Sequence, residues 1–429
     1  MLIREAKLSG GDEQFAKIDE AIRTAQCVRN RCLRHWMENK GVGKFDLQKL
    51  CAALAKDPDQ PWMGLLNSQA RQASAERAWQ SISSFFRRCK EGAQEKGYPK
   101  FKKHSRSVEY KTSGWKLSGD GMTITFIDGF RAGCFGLWMD GEARALVLGS
   151  KINRVRVVRR ADGYYAQFAL DREREEDGQY TGSVVGIDLG LKYFIKGSDG
   201  VEVECPKFLR KGQKKLKRAQ RRLSKRFQKG AKRQSKNYHK QRQKVGKVHL
   251  KAQRQRKDWA IQQARCVVKS NDLVAYEDLR VGNLVRNHHL SKSISDAGWS
   301  QFTGWLDYYG RLWGKVVVGV NPAFTSQDCS GCGHRSPKSL STRTHACPRC
   351  GLVMCRDGNA ALNILKRGLA MVRSEWNRTV GHTETGLEIA ATSGDINTAG
   401  WVGQPIDLSV VDEPERTGRV DPRSCEAAV

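Results

Sequence analysis

The chain has 429 residues, with 76 Lys or Arg against 45 Asp or Glu, a formal net charge of +31 and a pI near 9.8. That length suits two or three domains of roughly 100–200 residues, and a charge so far beyond what solubility needs points to a polyanionic partner, nucleic acid ahead of a membrane surface. No run approaches the roughly 20 apolar residues of a membrane span, and MLIREAKLSGGDEQ lacks the basic-then-apolar order of a secretion signal, so a cytoplasmic protein is expected, one whose 13 cysteines argue against a disulfide scaffold.

A short strand at the start gives way to residues 13–95, where apolar residues recur three and four apart in FAKIDEAIRTAQCVRNRCLRHWMENKG and SQARQASAERAWQSISSFFRRCKEG. This spacing predicts helices, each ending at a glycine after basic residues. Over 106–171 short alternating runs (MTITFI, RVRVVRR, GYYAQFAL) between Gly and Asp turns predict an antiparallel sheet or small barrel. SVVGIDLGLKY (183–193) is an apolar strand with one acid, Asp188, in its middle, and a turn at SDG leads to a further strand, VEVEC. Residues 207–257 then hold 23 Lys or Arg and no Asp or Glu. A solvated helix face mixes both signs, so this one-sided run is read as contact with a nucleic-acid backbone, the alternative being a disordered basic tract. DLVAYEDL (272–279) is a mostly apolar strand ending in Glu277 and Asp278; an amphipathic stretch to Leu312 and the strand KVVVGV follow. Strands alternating with helices predict a mixed α/β layer around a mostly buried sheet. From 371 to 429 acids outnumber bases two to one with little periodicity, which predicts a disordered tail.

Nine cysteines lack a paired spacing and most of them read as small apolar fillers; the other four form CSGC (329–332) and CPRC (347–350), with 14 residues between the pairs. Two CxxC pairs so spaced predict a zinc ribbon bound by Cys329, Cys332, Cys347 and Cys350, with Gly331, Gly333 and Gly351 supplying the turns. Four protein ligands close the site, so the zinc is structural. His334, His345 and Cys355 are spare ligands. In RDGNAALNILKRG, directly after the ribbon, Asp357 stands before a good helix, where capping alone explains a carboxylate. Yet Asp188 and Glu277 sit on strands of one prospective sheet, and three carboxylates brought together repel unless cations lie between them, for which Mg²⁺ suits oxygen ligands.

The order GIDLG, YEDL, CxxC with CxxC, and RDGNAALNI resembles the TnpB nucleases of insertion sequences and the related miniature type V CRISPR nucleases. SQARQASAERAWQSISSFF, GYPKFK and NPAFTSQDCSGCG extend the resemblance, which covers residues 1–368 and leaves out the tail. It implies an α/β multidomain architecture: a wedge-like N-terminal β-barrel (1–12 and 96–180) interrupted by a helical recognition lobe (13–95), a RuvC-like, RNase H-type nuclease domain (181–325 and 354–370), and an inserted zinc ribbon (326–353).

It also implies a guide RNA, a double-stranded DNA target, and a catalytic triad that falls on Asp188, Glu277 and Asp357 around two Mg²⁺ ions. Such a site activates water and stabilises the leaving 3′ oxygen, so products carry 5′ phosphates. The chain departs from the family's Asp-Arg-Asp at Cys355, in place of the first acid, and Asp278 is a substitute ligand if it can face the site. Lys214, Lys215, Lys217, Arg218, Arg221, Arg222, Lys225, Arg226, Lys232 and Arg233 are the expected nucleic-acid contacts, with Lys100, Lys102 and Lys103 as further backbone contacts. The alternatives to an RNA-guided endonuclease are a cleavage-deficient guided repressor and a non-catalytic zinc-ribbon RNA-binding protein.

Overall fold

A computed structural model describes residues 1–174, 176–339 and 341–380. The chain divides into two compact units, Met1–Arg174 and the residues from 175 onward.

The first unit opens with β1 (Leu2–Ser9) and the helices α1 (Asp12–Glu38), α2 (Lys44–Ala55), α3 (Trp62–Leu65) and α4 (Ser68–Lys90). Apolar residues at helical spacing run the whole length of α1, so it serves two cores. Ile18, Ala21, Ile22 and Ala25 pack with the sheet, whereas Val28, Cys32 and Leu33 pack with Leu47 and Cys51 of α2 and Ala78 and Ile82 of α4. Six strands follow, β2 (Ser107–Tyr110), β3 (Trp115–Leu117), β4 (Thr123–Phe126), β5 (Cys134–Trp138), β6 (Ile152–Arg160) and β7 (Gly163–Leu170), with helix α5 (Gly141–Leu148) between β5 and β6.

They join β1 in one antiparallel sheet of order β2-β6-β7-β1-β5-β4-β3. The hydrogen-bond ladder ends at β2 and β3, yet all seven strands contribute to one core. Tyr110 of β2 stacks on Phe126 of β4 with ring centroids 5.0 Å apart, so the sheet is curled. Helix α5 lies within a stretch read as strands alone. Its signal was Asp140, whose carboxylate accepts from the Ala143 N–H at 2.7 Å as an N-cap.

The second unit contains β8 (Val184–Asp188), β9 (Tyr193–Gly197), β10 (Glu202–Glu204), α6 (Phe208–Arg226), α7 (Lys236–Ser270), β11 (Leu273–Glu277), α8 (Val281–Leu284), α9 (Ser291–Ala297), α10 (Trp299–Trp313), β12 (Val316–Val320), β13 (Thr344–Ala346), β14 (Val353–Cys355) and α11 (Arg356–Val380). Its main sheet has the order β10-β9-β8-β11-β12. β8, β11 and β12 are parallel, and β9 is antiparallel to β8. Both faces are covered, as parallel strands require. Val185, Ile187 and Val274 pack with Ala260, Ala264 and Val268 of α7 and Phe302 and Leu306 of α10. On the other face Val184, Leu273 and Ala275 pack with Ile364 and Leu365 of α11. A Cβ on Gly186 would lie 2.2 Å from the Ala361 carbonyl oxygen, and one on Gly368 would lie 2.5 Å from Ala275 Cβ, so the approach of α11 needs glycine on both sides.

Two expectations change. The stretch 183–193 is not one strand: β8 stops at Asp188 and β9 begins at Tyr193, so Asp188 ends its strand. Helix α11 runs to Val380, past the expected start of the tail at 371, because Leu369 and Val372 continue its apolar stripe against the sheet. The rest of that tail, 381–429, lies outside the described residues. Among the described residues no helix is long and apolar enough to cross a membrane.

A buried ion pair ties the start of the parallel strands together. Lys315 Nζ lies 3.3 Å from Asp272 Oδ1, with 1% and 3% of their side chains exposed. Asp272 also accepts from the Thr181 and Gly182 amides at 2.9 and 2.6 Å, and Lys315 donates to the Lys269 carbonyl at 2.9 Å. Asp272→Ala strands the Lys315 ammonium and is expected to cost about 3–5 kcal/mol. The measurement is hydrogen-exchange protection in β8 and β11, which reports this unit alone.

Candidate functional site

The pairing that sets Tyr276 beside Ile187 makes Glu277 and Asp188, the next residues, the ends of neighbouring parallel strands. Side chains alternate along a strand, which puts both acids on the α11 face, in line with Ala275 and Gly186. Asp357 stands in the first turn of α11, where the helix dipole favours an acid. Burial and the nearby charges of Glu277 and Asp357 push the Asp188 carboxyl up to about 8, with Arg356 pulling the other way. Burial also raises Glu277, opposed by the Thr325 hydroxyl, which donates to Oε1 at 2.5 Å, and by Arg367. Arg356 Nε donates to Asp357 Oδ1 at 3.0 Å, and Arg343 stands 3.9 Å from Oδ2.

Asp188 feels the charge of both Glu277 and Asp357, but the oxygens of the three do not all lie within 4.8 Å of one another. Like charges in a low dielectric hold apart, and Asp357 leans on Arg356. The donor set is all carboxylate oxygen, which fits a hard divalent cation such as Mg²⁺ and leaves thiophilic metals without a ligand. Asp278 faces elsewhere: its charge acts on Tyr276 and Asp307, on the α10 side of the sheet.

Cys329, Cys332, Cys347 and Cys350 form, among the described residues, the one group of three or more His, Cys, Asp or Glu side chains whose ligating atoms all lie within 4.8 Å. Cys329 and Cys350 sulfurs are 3.6 Å apart, and those of Cys332 and Cys347 are 3.5 Å apart. Four thiolates about 2.3 Å from a tetrahedral zinc would stand ~3.8 Å apart, so the cluster can hold the ion. Each knuckle closes on a left-handed glycine. Gly333 (φ +75°) donates to the Cys329 carbonyl at 2.9 Å, and Gly351 (φ +72°) donates to that of Cys347 at 3.0 Å. The Cys350 and Arg349 amides draw the Cys347 thiol down to about 6, which favours the ligating thiolate. The spare ligands stand outside the cluster: His345 is buried with Lys338 at its Nδ1, His334 offers its carbonyl to the Cys329 amide, and Cys355 is exposed at the end of β14 opposite Thr344.

The segment leading from β12 into the ribbon is bound by residues to which sequence reasoning gave no role. Asn359 Oδ1 accepts from the Ser330 amide at 2.9 Å, and its Nδ2 donates to the Asp328 carbonyl at 2.7 Å. Asn363 Nδ2 donates to the Thr325 and Asp328 carbonyls at 2.8 and 2.7 Å. Both asparagines are buried, four residues apart on one helix face. Two amides at that spacing inside the apolar run NAALNIL were the available signal.

All ten expected nucleic-acid contacts are exposed. Eight lie on α6; Lys232 and Arg233 lie in its connection to α7. The helices pack as a hairpin through Leu216 and Gln241, whose Nε2 donates to the Ala219 carbonyl at 3.0 Å. A groove of about 690 Å³ between them is lined by Lys211, Lys215, Arg218, Arg222, Lys244, Lys247 and Lys251 and by no acid. Some of the run's charge is used internally. Arg226 donates to the Asn237 carbonyl at 3.1 Å, and Arg256 pairs at 3.4 Å with buried Asp296, which accepts from the Leu209 and Arg210 amides at the start of α6. In the first unit Lys100, Lys102 and Lys103 are exposed on a segment strapped to α1, where Gln26 Nε2 donates to the Lys102 and Lys103 carbonyls at 2.9 Å.

Residues 167–288 match the family OrfB_IS605, described as "Probable transposase", and residues 299–364 match the "Cas12f1-like, TNB domain" family. A "Putative RNA-guided DNA endonuclease" of Streptomyces pristinaespiralis is 28% identical over 370 residues, covering 84% of this chain and 87% of the relative. The "Putative RNA-guided DNA endonuclease InsQ" of Escherichia coli (strain K12) is 28% identical over 389 residues, covering 85% and 92%. The solved structure described as "Cryo-EM structure of the Cas12f1-sgRNA-target DNA complex" superposes with a TM-score of 0.50 at 14% identity over 82% of each chain. The likeness in fold and the four-cysteine cluster define a protein of TnpB/Cas12-like architecture. Within that class, the two family matches and the relatives support a TnpB-family protein.

Purified protein is expected to carry about one zinc per chain, lost in Cys347→Ser and measured by elemental analysis. A pH dependence follows from Asp188. Its folded value near 8 exceeds the unfolded value of about 3.9, so the folded state keeps the extra proton between them. Stability of zinc-loaded, magnesium-free protein therefore falls as pH rises through that window, by at most about 1.4 kcal/mol per unit from this group. Asp188→Asn should remove this contribution, its advantage in thermal unfolding being smallest below pH 4 and largest above pH 8.

Proposed function

We propose that this protein is an RNA-guided DNA endonuclease with a RuvC-like centre at Asp188, Glu277 and Asp357. The observation that carries the reading is that three acids from three separate elements meet at one edge of the sheet, where each perturbs Asp188 or is held beside it. The strand order, in which the first strand is flanked by an antiparallel second strand and a parallel fourth, supports an RNase H-type sheet. The names of the two relatives support an RNA guide and a DNA substrate.

Asp188, Glu277 and Asp357 would hold the catalytic Mg²⁺, which when bound activates a water and stabilises the leaving 3′ oxygen of the phosphodiester. The chain's own residues prepare that centre. Thr325 fixes one Glu277 oxygen, and Arg356 orients Asp357. The α6–α7 hairpin binds phosphates of the guide and its heteroduplex with DNA, while base pairing selects the sequence beside a short flanking motif read by the protein. The zinc at the four cysteines is structural, since no coordination position is left open.

Asp188→Ala, Glu277→Ala and Asp357→Ala should each lower DNA cleavage by more than the about 10- to 100-fold of outer-shell changes, with guide-RNA affinity near the parent's. Magnesium-dependent cleavage that survives in Glu277→Ala would remove this residue from the centre. Replacing Lys214, Lys215, Lys217 and Arg218 with Gln should weaken RNA binding and flatten the plot of log affinity against log salt by roughly 0.7–0.9 per lost phosphate contact. Cleavage should return at saturating RNA. An unchanged slope would place the RNA elsewhere.

A further inference from the structure

Thr325, Asn359 and Asn363 stand in a single chain of hydrogen bonds that runs from the cysteine ribbon to Glu277 by way of the helix that bears Asp357. Its middle is the segment 321–330. At one end the Thr325 hydroxyl donates to Glu277; at the other, Ser330, next to Cys329, gives its amide to Asn359. Between them Asn363 takes the Thr325 carbonyl, and both asparagines take the Asp328 carbonyl. The same face of α11 adds Lys366 to the Ser330 carbonyl, and Arg367 to the Asn321 and Ala323 carbonyls at 2.8 and 2.7 Å and to Asp328 Oδ2 at 3.0 Å. The helix that bears Asp357 therefore grips, through its next turns, the strap that bears the partner of Glu277.

Carboxylates that repel one another do not hold a spacing unaided. Glu277 is buried near a second acid, and a hydrogen bond to its Oε1 restricts which rotamer it presents. Asn359 and Asn363 have little reason to be buried amides except to satisfy carbonyls and an amide that a loop leaves unpaired. Leucine at either place would suit the apolar stripe and orphan those groups.

We propose that Thr325, Asn359 and Asn363 are positioning residues that set the spacing between Glu277 and Asp357, and that they lock the ribbon to that spacing so that an ordered four-cysteine knuckle is a condition for divalent-cation binding at the acids. This rests on the reading of Asp188, Glu277 and Asp357 as a cation-binding centre.

The test uses full-length, zinc-loaded protein without RNA, with Mn²⁺ as the probe. Bound Mn²⁺ is counted by electron paramagnetic resonance, zinc release is followed with a chromogenic chelator, and hydrogen exchange is read in 325–333. Thr325→Val and Asn363→Leu should each weaken the Mn²⁺ site that Asp188→Ala abolishes, by about 10- to 100-fold. Thr325→Ser, which keeps the hydroxyl, should restore it. Asn359→Leu and Asn363→Leu should also speed zinc release and exchange in 325–333, whereas Thr325→Val should leave zinc release near the parent's, a split that general loss of stability does not produce. Parental Mn²⁺ affinity in both Thr325→Val and Asn363→Leu overturns the proposal. If Asn363→Leu does not fold, the Thr325→Val and Thr325→Ser pair decides it in the same way. A parent chain whose Mn²⁺ binding is indifferent to Asp188→Ala refutes the cation-centre reading itself; parental zinc release in Asn359→Leu refutes the lock alone.

Discussion

Helix α11 lies so close on the central strands that a side chain at Gly186 would meet the Ala361 carbonyl at 2.2 Å and one at Gly368 would meet Ala275 at 2.5 Å. Much of the second unit depends on this contact. It seals the face of the parallel pair opposite α7 and α10, which an all-buried sheet requires. It brings the first turn of α11, with Asp357, to the edge where Asp188 and Glu277 end their strands. It also presses Asn359 and Asn363 against the strap that enters the ribbon. One helix thus joins the four-cysteine cluster to an acidic edge, and the two glycines allow its approach.

Charge is sorted as strictly as shape. The hairpin of α6 and α7 gathers cations around a groove without an acid, while three acids gather at the sheet edge, where burial and then the charges of Glu277 and Asp357 raise Asp188 to about 8. Each arrangement is unfavourable to the isolated chain. Repulsion among the hairpin cations is relieved by a polyanion, and repulsion among the acids by a divalent cation. The proposed polyanion and divalent-cation partners rest on these two single-sign groupings, and the neutralising pairs within the unit, Arg256 with Asp296 and Lys315 with Asp272, are spent on anchoring helix and strand starts.

The cysteine ribbon was legible from spacing alone, because two CxxC pairs with glycines beside them encode their own turns and need little from the rest of the chain. The basic run was legible because 23 cations without an acid leave few structural uses. The acids were legible as residues, through the motifs around them, and their common face followed from strand alternation once β8 and β11 pair in register. Other features were hidden where local signals compete. Helix α5 is short and flanked by alternating runs, and the last turns of α11 carry polar residues whose periodicity shows only against Leu369 and Val372.

The sequence by itself determined the local chemistry of this protein: where the long amphipathic helices and most strands form, which four thiols pair by spacing, and where charge of one sign accumulates. Those properties depend on neighbours within a few turns of the chain. Only the tertiary structure decided that Asp278 turns away while Glu277 faces α11, that Asp296 caps α6 from 87 residues away, and that Asn363 holds the carbonyl of a threonine whose hydroxyl holds Glu277. These are hydrogen bonds and repulsions between groups distant in sequence, whose partners are fixed by which faces pack and at what separation, and no local propensity encodes that.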